Sequence, residues 1–263
     1  MTKYAKGDSL SMNFMEAKKP LLSIIIPTLN EEKNLPRLLD TVAKQTFRDF
    51  EVVVADSAKT VDRTKEIAAS AGCRIVPGGS VSEGRNNGAA AAKGSVFLFL
   101  DADVALPNQF FLEDTVNEFV ARDLDLATCR VRALDGDKYD KLMHGLYNVY
   151  SVALGKILPH IPGFCFFIKR SVYEAVGGFD IDIKLAEDHE LARRGSKIGT
   201  FGFLFTQCIP VSTRRFERDG RFATAIKYIL CELHMLTIGP VKTDIFKYKF
   251  GHHDEKKTGA AKK

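Results

Sequence analysis

The feature that most constrains this chain is an alternation of short apolar runs with helical patterns in its N-terminal part. Four runs have the length and the β-branched or aromatic content of buried strands: 21–26, 51–55, 74–76 and 96–100. Helical patterns that begin near Asn30, Thr64 and Glu83 separate them. Strands that alternate with helices predict an α/β fold, Rossmann-like, with a mostly parallel central sheet and flanking helices.

The second part of the chain is less regular. Strands are predicted at 125–129, 164–168 and 201–205. Between 139 and 160, apolar residues recur at steps of three and four and predict an amphipathic helix. These residues are Leu142, Leu146, Val149, Ala153 and Ile157. A further apolar helix is predicted at 222–238. Both helices can pack on the sheet or lie on a membrane surface, and the Lys-rich tail after Lys242 favours the membrane surface.

Acidic residues follow three of the predicted strands. Glu31 follows the first strand, Asp56 the second, and Asp101 and Asp103 the fourth. Because ligands bind beyond the carboxyl ends of parallel strands, we expect these side chains to converge on one site. Carboxylates are ligands that Mg²⁺ and Mn²⁺ prefer, often together with substrate phosphates. The segment Asp101-Ala102-Asp103 is therefore predicted to bind Mn²⁺ or Mg²⁺, the alternative being a loop with two solvated acids.

Other charged residues are candidates for proton transfer and phosphate binding. Glu187 and Asp188 can supply a base for an attacking hydroxyl, or can simply stabilise the start of a helix. His189 follows them, so the identity of the base stays open. Arginine forks match phosphate oxygens, which makes Arg85, near a helix start, a phosphate candidate. Three more arginines, in a segment that can also be a solvated turn, are phosphate candidates: Arg214, Arg215 and Arg218.

Composition narrows the classes of function. The net charge of +5 suits a phosphate-bearing ligand or an anionic membrane surface and does not require nucleic acid. The five cysteines are scattered without a CxxC pair, which argues against a disulfide framework and a structural zinc site and favours a reducing compartment. Neither a secretory signal nor an ordinary transmembrane segment is predicted.

Several short segments follow one another in a specific order and spacing. They are Ile26-Pro27-Thr28-Leu29-Asn30-Glu31, Asp56, Gly84-Arg85-Asn86-Asn87-Gly88, Phe99-Leu100-Asp101-Ala102-Asp103, Gly177-Gly178-Phe179-Asp180 and Glu187-Asp188. Together they resemble the family 2 glycosyltransferases, which have the GT-A fold. The resemblance covers residues 21–221.

The resemblance implies roles for the matched residues. The nucleotide-sugar would lie among Pro27, Thr28, Asn30, Glu31, Asp56, Arg85, Asp101, Ala102 and Asp103. Within this set, Arg85 and Asp101 would face the nucleotide and ribose. Asp103, with Asp101, would bind the metal ion. Asp188, beside Glu187, would be the catalytic base.

Three departures from the family pattern bear on the substrate. Thr60 and Asp62 stand one position later than the family's Ser and Asp, which leaves uridine or guanosine open. The chain has no tryptophan, so the QxxRW motif of processive members is absent and a single transfer is expected. The multi-span membrane domain of many relatives is not expected in this sequence. The amphipathic helices and basic segment are instead similar to members that glycosylate polyprenyl phosphates, such as dolichyl-phosphate mannosyltransferases.

We therefore expect an inverting, metal-dependent glycosyltransferase that moves a sugar from a nucleotide-sugar to a lipid-linked acceptor. GDP-mannose and a polyprenyl phosphate are the first candidates, at the cytoplasmic face of a membrane to which the protein is peripherally or interfacially anchored. The expected organisation is a polar segment at 1–20, a GT-A catalytic domain at 21–221, and an amphipathic, membrane-facing helix with a basic tail at 222–263.

Three alternatives stay open. The first is a glycosyltransferase that uses a UDP-sugar and a saccharide acceptor. The second is a sugar nucleotidyltransferase, which is disfavoured because such enzymes carry a Gly-rich basic loop after the first strand. The third is a non-catalytic sugar- or lipid-binding module, which the intact Asp101, Asp103 and Asp188 disfavour.

Overall fold

The computed structural model describes residues 19–134, 137–155, 157–211 and 220–246. The strands are β1 (Leu22–Thr28), β2 (Phe50–Asp56), β3 (Arg74–Pro77), β4 (Val96–Leu100), β5 (Leu126–Ala133), β6 (Cys165–Lys169) and β7 (Phe201–Val211). The helices are α1 (Leu35–Ala43), α2 (Thr64–Ser70), α3 (Val81–Ala91), α4 (Phe111–Ala121), α5 (Lys138–Leu154), α6 (Arg170–Ala175), α7 (Glu187–Gly195) and α8 (Arg221–Thr237). Residues 1–18 of the N-terminal polar segment and the tail beyond Phe246 lie outside the described residues.

The strands form one seven-stranded sheet in the order β3-β2-β1-β4-β6-β5-β7. The pairs β1–β2, β1–β4, β2–β3 and β5–β7 are parallel. Strand β6 runs antiparallel to both of its neighbours, so Cys165 at its start lies opposite Leu100 at the end of β4. The predicted mostly parallel sheet with flanking helices is confirmed. The reversal at β6 places the loop that precedes it at the edge of the sheet where Asp101 leaves β4.

Strand β4 lies at the centre of the sheet, and all five of its residues are buried. Successive side chains of a strand point to opposite faces. One core cluster therefore contains Val96, Leu98 and Leu100, and the cluster on the other face contains Phe97 and Phe99. Burial on both faces explains why this strand is a continuous apolar run rather than an alternating one. All five cysteines have free thiols in the structure.

Strands β5 and β7, which lie at one end of the sheet, extend beyond their predicted C-terminal residues 129 and 205. The pairing between them shifts register between Cys129 and Arg130 because β7 bulges at that level. Glu118 of α4 stabilises the bulge, since its carboxylate accepts hydrogen bonds from the N–H groups of Phe205 and Thr206 at 2.8 and 2.9 Å. The apolar run at 201–205 ends where the bulge in β7 begins, so the sequence pattern predicted only the first half of this strand.

Two predicted helices have different bounds in the structure, and a third helix was not predicted. Helix α1 begins at Leu35 rather than near Asn30, because Asn30 has a left-handed backbone with φ 55°. Helix α5 ends at Leu154, short of the predicted end at 160. Helix α4 was not predicted, although its buried residues recur with helical spacing.

Helix α5 places polar residues inward and apolar residues outward. Asp140, His144 and Ser151 are buried. The exposed large apolar residues of this helix are Tyr139, Leu142, Met143, Leu146, Val149 and Tyr150. The predicted amphipathic stripe is therefore present but faces away from the sheet. Across the described residues, none of the helices combines the length and apolarity needed to traverse a bilayer.

We predict that Gly88→Ala destabilises the fold. Gly88 on α3 faces β1, and an added Cβ would lie 2.4 Å from Cγ2 of the fully buried Ile25. Overpacking of this kind costs about 1–3 kcal/mol, which urea denaturation can measure. Gly145→Ala on α5 is the matched control, because nothing lies within 4 Å of its added Cβ. There the same change should stabilise the helix by about 0.5–1 kcal/mol. Effects of the same sign in both variants would contradict this packing argument.

Candidate active site

Arg85 is the centre of the charged cluster at the carboxyl edge of the sheet. Its side chain is 3% exposed. One guanidinium nitrogen donates to Oε1 of Glu187 at 2.8 Å, and another donates to Oδ1 of Asp101 at 3.0 Å. Helix α3 carries Arg85 into this position and begins with a reciprocal capping box between Ser80 and Glu83. The guanidinium thus joins the end of β4 to the start of α7.

The surroundings of Arg85 leave it little freedom. Its guanidinium carbon lies 5.2 Å from the ring centroid of Phe179, within cation–π range. A Cβ on Gly163 would lie 2.5 Å from a guanidinium nitrogen, so a residue without a side chain is needed there. Arg85 is predicted to bind phosphate and to face the nucleotide, and that role stays a prediction. The structure places its guanidinium between two carboxylates of the protein, Glu187 and Asp101.

Glu187 and Asp188 form the first turn of α7. Glu187 is buried, and burial raises the pKa of its carboxyl above the ordinary value, as does the charge of Asp188. Burial likewise raises the pKa of Asp188, although Arg85 and two backbone N–H groups act against it. Those N–H groups belong to His189 and Gly163 and lie 2.8 and 2.6 Å from the Asp188 carboxylate oxygens.

The three candidates for the base differ in their surroundings. Glu187 is buried against Arg85. Burial lowers the pKa of His189 to about 3, and His160 adds to that effect, so His189 is a weak proton acceptor. Asp188 is half-buried and oriented by two backbone donors. This comparison favours Asp188, whose role remains a prediction.

The backbone before α7 is unusual as well. Ala186, the residue that precedes Glu187, has φ 60° and lies in the left-handed region. Only a few per cent of non-glycine residues adopt such a conformation, and functional sites contain many of them. The direction in which Glu187 and Asp188 leave the chain is therefore set by a strained residue.

The ends of β1 and β2 contribute Thr28 and Asp56, which are opposite each other in the register. The hydroxyl of Thr28 donates to Oδ1 of Asp56 at 2.8 Å, and the hydroxyl of Thr60 donates to the same oxygen at 2.8 Å. Pro27 lies beside them at the end of β1. Two donors on one oxygen fix the direction of the Asp56 carboxylate.

The loop after β1 is tied to the loop after β2. Asn30 accepts a hydrogen bond from the N–H of Val61 at 2.8 Å, and the left-handed conformation of Asn30 is one that asparagine tolerates. The N–H of Glu31 donates to the hydroxyl of Thr64 at 2.7 Å, and its carboxylate accepts from Asn34 at 2.8 Å. Both candidates therefore lie at the expected edge of the sheet.

Asp101, Ala102 and Asp103 leave β4 in a turn. Ala102 is buried, the Asp101 side chain is 40% exposed, and Asp103 is exposed. The guanidinium of Arg37 donates to the backbone carbonyl of Asp103 and holds the turn against α1. Carboxylates that reach solvent at a strand end suit a hard cation such as Mn²⁺ or Mg²⁺. The remaining phosphate candidates lie outside the described residues: Arg214, Arg215 and Arg218.

Comparison with known proteins identifies the family. A sequence model described as glycosyl transferase family 2 matches residues 23–177, more than half of the chain. The chain belongs to this family. A PGL/p-HBAD biosynthesis glycosyltransferase of Mycobacterium bovis is 41% identical over 95 residues, which are 33% of this chain and 37% of that protein. A validoxylamine A glucosyltransferase of Streptomyces hygroscopicus is 39% identical over 101 residues, which are 35% of this chain and 22% of that protein. Less than two thirds of each relative is thus covered.

Solved structures share the fold of this family 2 member. A mannosyltransferase from Pyrobaculum calidifontis, in complex with GDP-Man and Mn²⁺, superposes with a TM-score of 0.62 at 23% identity and covers 74% of this chain and 57% of its own. S. aureus TarS in complex with UDP gives a TM-score of 0.61 at 21% identity and covers 73% of this chain and 60% of its own. The predicted GT-A type of sheet with flanking helices agrees with these neighbours.

The family match covers only part of the candidate site. Thr28, Asp56, Arg85, Asp101 and Asp103 lie within the matched residues, and the Glu187–Asp188 pair lies beyond them. Sequence reasoning missed Thr60 as a partner of Asp56 and missed Gly163 as a donor to Asp188. A Pro-Gly turn before a strand was the available sign for Gly163.

We predict that Arg85→Met destabilises this glycosyltransferase by about 3–5 kcal/mol in urea denaturation, because it leaves the buried Glu187 carboxylate unpaired. A second change, Glu187→Gln, should restore part of the loss. Lys44→Met is the matched control, since Lys44 pairs with Asp40 in solvent, at 67% and 59% exposure. Its expected effect is below about 1 kcal/mol. Equal losses in Arg85→Met and Lys44→Met would refute a structural role for the buried pair.

Proposed function

We propose that this family 2 member transfers a sugar from a nucleotide-sugar donor to an acceptor, with inversion at the sugar carbon. The observation that carries the proposal is the convergence of acidic groups from separate strand ends and from α7 on one edge of the sheet. Asp56 lies at the end of β2, Asp101 and Asp103 follow β4, and Arg85 ties Asp101 to the start of α7. Such an edge is where α/β sheets bind ligands.

The donor diphosphate would be held at the end of β4. Asp101 and Asp103 are the residues proposed to bind Mn²⁺ or Mg²⁺, because both offer oxygen ligands at the surface of the turn. Arg85 donates a hydrogen bond to Oδ1 of Asp101 and so orients that carboxylate. When bound, a divalent cation offsets the negative charge of the departing nucleoside diphosphate.

Asp188 is proposed to act on the acceptor. The N–H groups of Gly163 and His189 hold its carboxylate in one orientation. An acceptor hydroxyl would transfer its proton to Asp188 as its oxygen attacks the sugar carbon, and an already ionised phosphate would only be oriented. Arg85 holds the adjacent Glu187 and so fixes the helix start from which Asp188 projects.

We predict that Asp103→Asn lowers transfer at least about a hundredfold, as loss of a charge-stabilising group in an active site does. It should also remove the Mn²⁺-dependent rise in melting temperature that a true donor nucleotide-sugar produces. Asp188→Asn should retain that rise and lose transfer. Asp40→Asn on the exposed face of α1 is the control and should change neither property. Full transfer by Asp103→Asn in the presence of Mn²⁺ would rule the mechanism out.

GDP-mannose is the first donor and a polyprenyl phosphate the first acceptor that we propose. The neighbour in complex with GDP-Man and Mn²⁺ supports a guanosine donor, and the TarS complex with UDP supports a uridine donor. A UDP-sugar with a saccharide acceptor is therefore the second candidate. A panel of both donors in the melting assay separates these two. Release of pyrophosphate instead of a nucleoside diphosphate would indicate a nucleotidyltransferase.

The exposed apolar face of α5 and α8 supports a lipid-linked acceptor. Val149 on α5 is 69% exposed, and Ile229 and Leu233 on α8 are 60% and 51% exposed. Exposed apolar residues in such number mark an interaction surface. The segment from Lys242 to Lys263 contains seven lysines and three acidic residues, and would meet anionic headgroups favourably. We propose that this face lies on the cytoplasmic surface of an anionic membrane, with the protein peripherally anchored.

We predict that the double variant Leu146→Ser/Leu233→Ser loses at least about tenfold in binding to vesicles of anionic phospholipid, because each leucine contributes about 1.5–3 kcal/mol when buried. Co-sedimentation measures this loss. Ile198→Ser is the matched control, because Ile198 is 57% exposed but belongs to the loop between α7 and β7 and to neither helix. An equal loss in the control, or no vesicle binding by the unmodified chain, would contradict the membrane proposal.

A further inference from the structure

Three side chains that the proposed transfer reaction does not use meet where α7, α8 and the loop before β6 come together. His189 follows Asp188 on α7, Glu232 lies on α8, and His160 lies in the loop. One possible ligand atom of each residue lies within 4.8 Å of the others. His160 is 3% exposed, and its ring centroid lies 5.0 Å from that of His189.

The hydrogen bonds of His160 determine which of its nitrogens can bind a ligand. Nδ1 lies 2.7 Å from the carbonyl oxygen of Leu158. A carbonyl oxygen only accepts, so Nδ1 carries the hydrogen, and in the neutral ring the lone pair belongs to Nε2. That nitrogen lies 3.3 Å from Oε2 of Glu232. Two electron-rich atoms therefore face each other, and either a proton or a cation between them removes the repulsion.

The surroundings of His189 favour a cation, rather than a proton, between His160 and Glu232. Within the described residues, Nδ1 of His189 is buried and has no hydrogen-bond partner. Buried polar atoms without partners are uncommon and call for an explanation such as a bound ion. A proton on His160 would satisfy Glu232 but would leave His189 unchanged. A cation bound by all three residues would account for both observations.

Glu232 is oriented as a ligand by a second contact. Arg193 of α7 donates to its Oε1 at 2.7 Å, which directs Oε2 toward His160. Outer partners of this kind, here Arg193 for Glu232 and the Leu158 carbonyl for His160, fix the direction of metal ligands. We propose that His160, His189 and Glu232 form a zinc site that is separate from the carboxylates at the end of β4.

The chemistry of the ligands selects zinc. Two imidazoles and one carboxylate are a known zinc ligand set that leaves a fourth position for water. Ligand atoms at zinc-bond lengths and tetrahedral angles lie about 3.3 Å apart, which matches the 3.3 Å between Nε2 of His160 and Oε2 of Glu232. Asp101 and Asp103 offer oxygen ligands only and suit Mn²⁺ or Mg²⁺ instead. The scattered spacing of the cysteines argues against a cysteine-based structural zinc site, but that spacing does not test histidines from distant segments.

Zinc at this site would attach the C-terminal helix to the body of the enzyme. The contacts of α8 and the segment after it with the rest of the chain include a small apolar cluster of Leu185, Cys231 and Val241 and the ion pairs Arg193–Glu232 and Lys242–Asp180. A bond from Glu232 to a metal held by His189 would tie α8 to α7, one residue from Asp188.

The test is a zinc titration of the untagged full chain after treatment with EDTA. We expect one tightly bound equivalent of Zn²⁺, measured by calorimetry, and a rise in melting temperature on binding. Substitution by Co²⁺ should give the visible absorption of a tetrahedral site. His189→Ala and Glu232→Gln should each weaken zinc binding at least about tenfold.

Matched variants distinguish this site from others. Asp103→Asn removes a ligand proposed for the β4 site and should retain the zinc equivalent. His234→Ala changes another histidine of α8, whose ring bonds Gly239, and should also retain it. The double variant His252→Ala/His253→Ala tests the tail and should behave in the same way.

Absence of a zinc equivalent in the unmodified chain would overturn the proposal, and so would its loss in Asp103→Asn or in the tail variant. If His189→Ala or Glu232→Gln does not fold, crystals of the unmodified chain soaked in Zn²⁺ decide the question. An anomalous peak at the zinc edge among His160, His189 and Glu232 supports the site, and a peak elsewhere or no peak refutes it.

Discussion

A buried guanidinium between two carboxylates holds the candidate active site together. Arg85 contacts Asp101 at the end of β4 and Glu187 at the start of α7. Burial of these charges is tolerated only because they are paired. One arginine does not balance the three nearby acids, Asp101, Glu187 and Asp188, so acidic groups remain in excess. The site therefore keeps a negative electrostatic potential, which favours a bound cation. The bound cation would in turn attract an arriving phosphate.

Much of the N-terminal half could be predicted from the sequence, because its information is local. The five buried residues of β4 form an apolar run, and their position before Asp101 identifies a strand end. Parallel strands then place Thr28 and Asp56 at the same edge without further information. The family match over residues 23–177 agrees with that reading.

The rest could not be predicted because it depends on contacts between distant segments. Nothing local to Arg85 indicates that its partner is Glu187, 102 positions away. A periodic pattern predicted the amphipathic helix α5 but not that Leu146 and Val149 face outward, since periodicity gives a stripe and not its direction. The clustering of His160, His189 and Glu232 could not be predicted either, because these residues come from a loop and two helices.

The left-handed residue before α7 has an evolutionary consequence. Ala186 adopts φ 60°, at a cost of about 1–2 kcal/mol for a residue with a Cβ. A glycine would relieve that strain and stabilise the folded state. It would also give the backbone more freedom, so that Glu187 and Asp188 could point in a wider range of directions. Selection for heat tolerance and selection for fast turnover would therefore pull this single position in opposite directions.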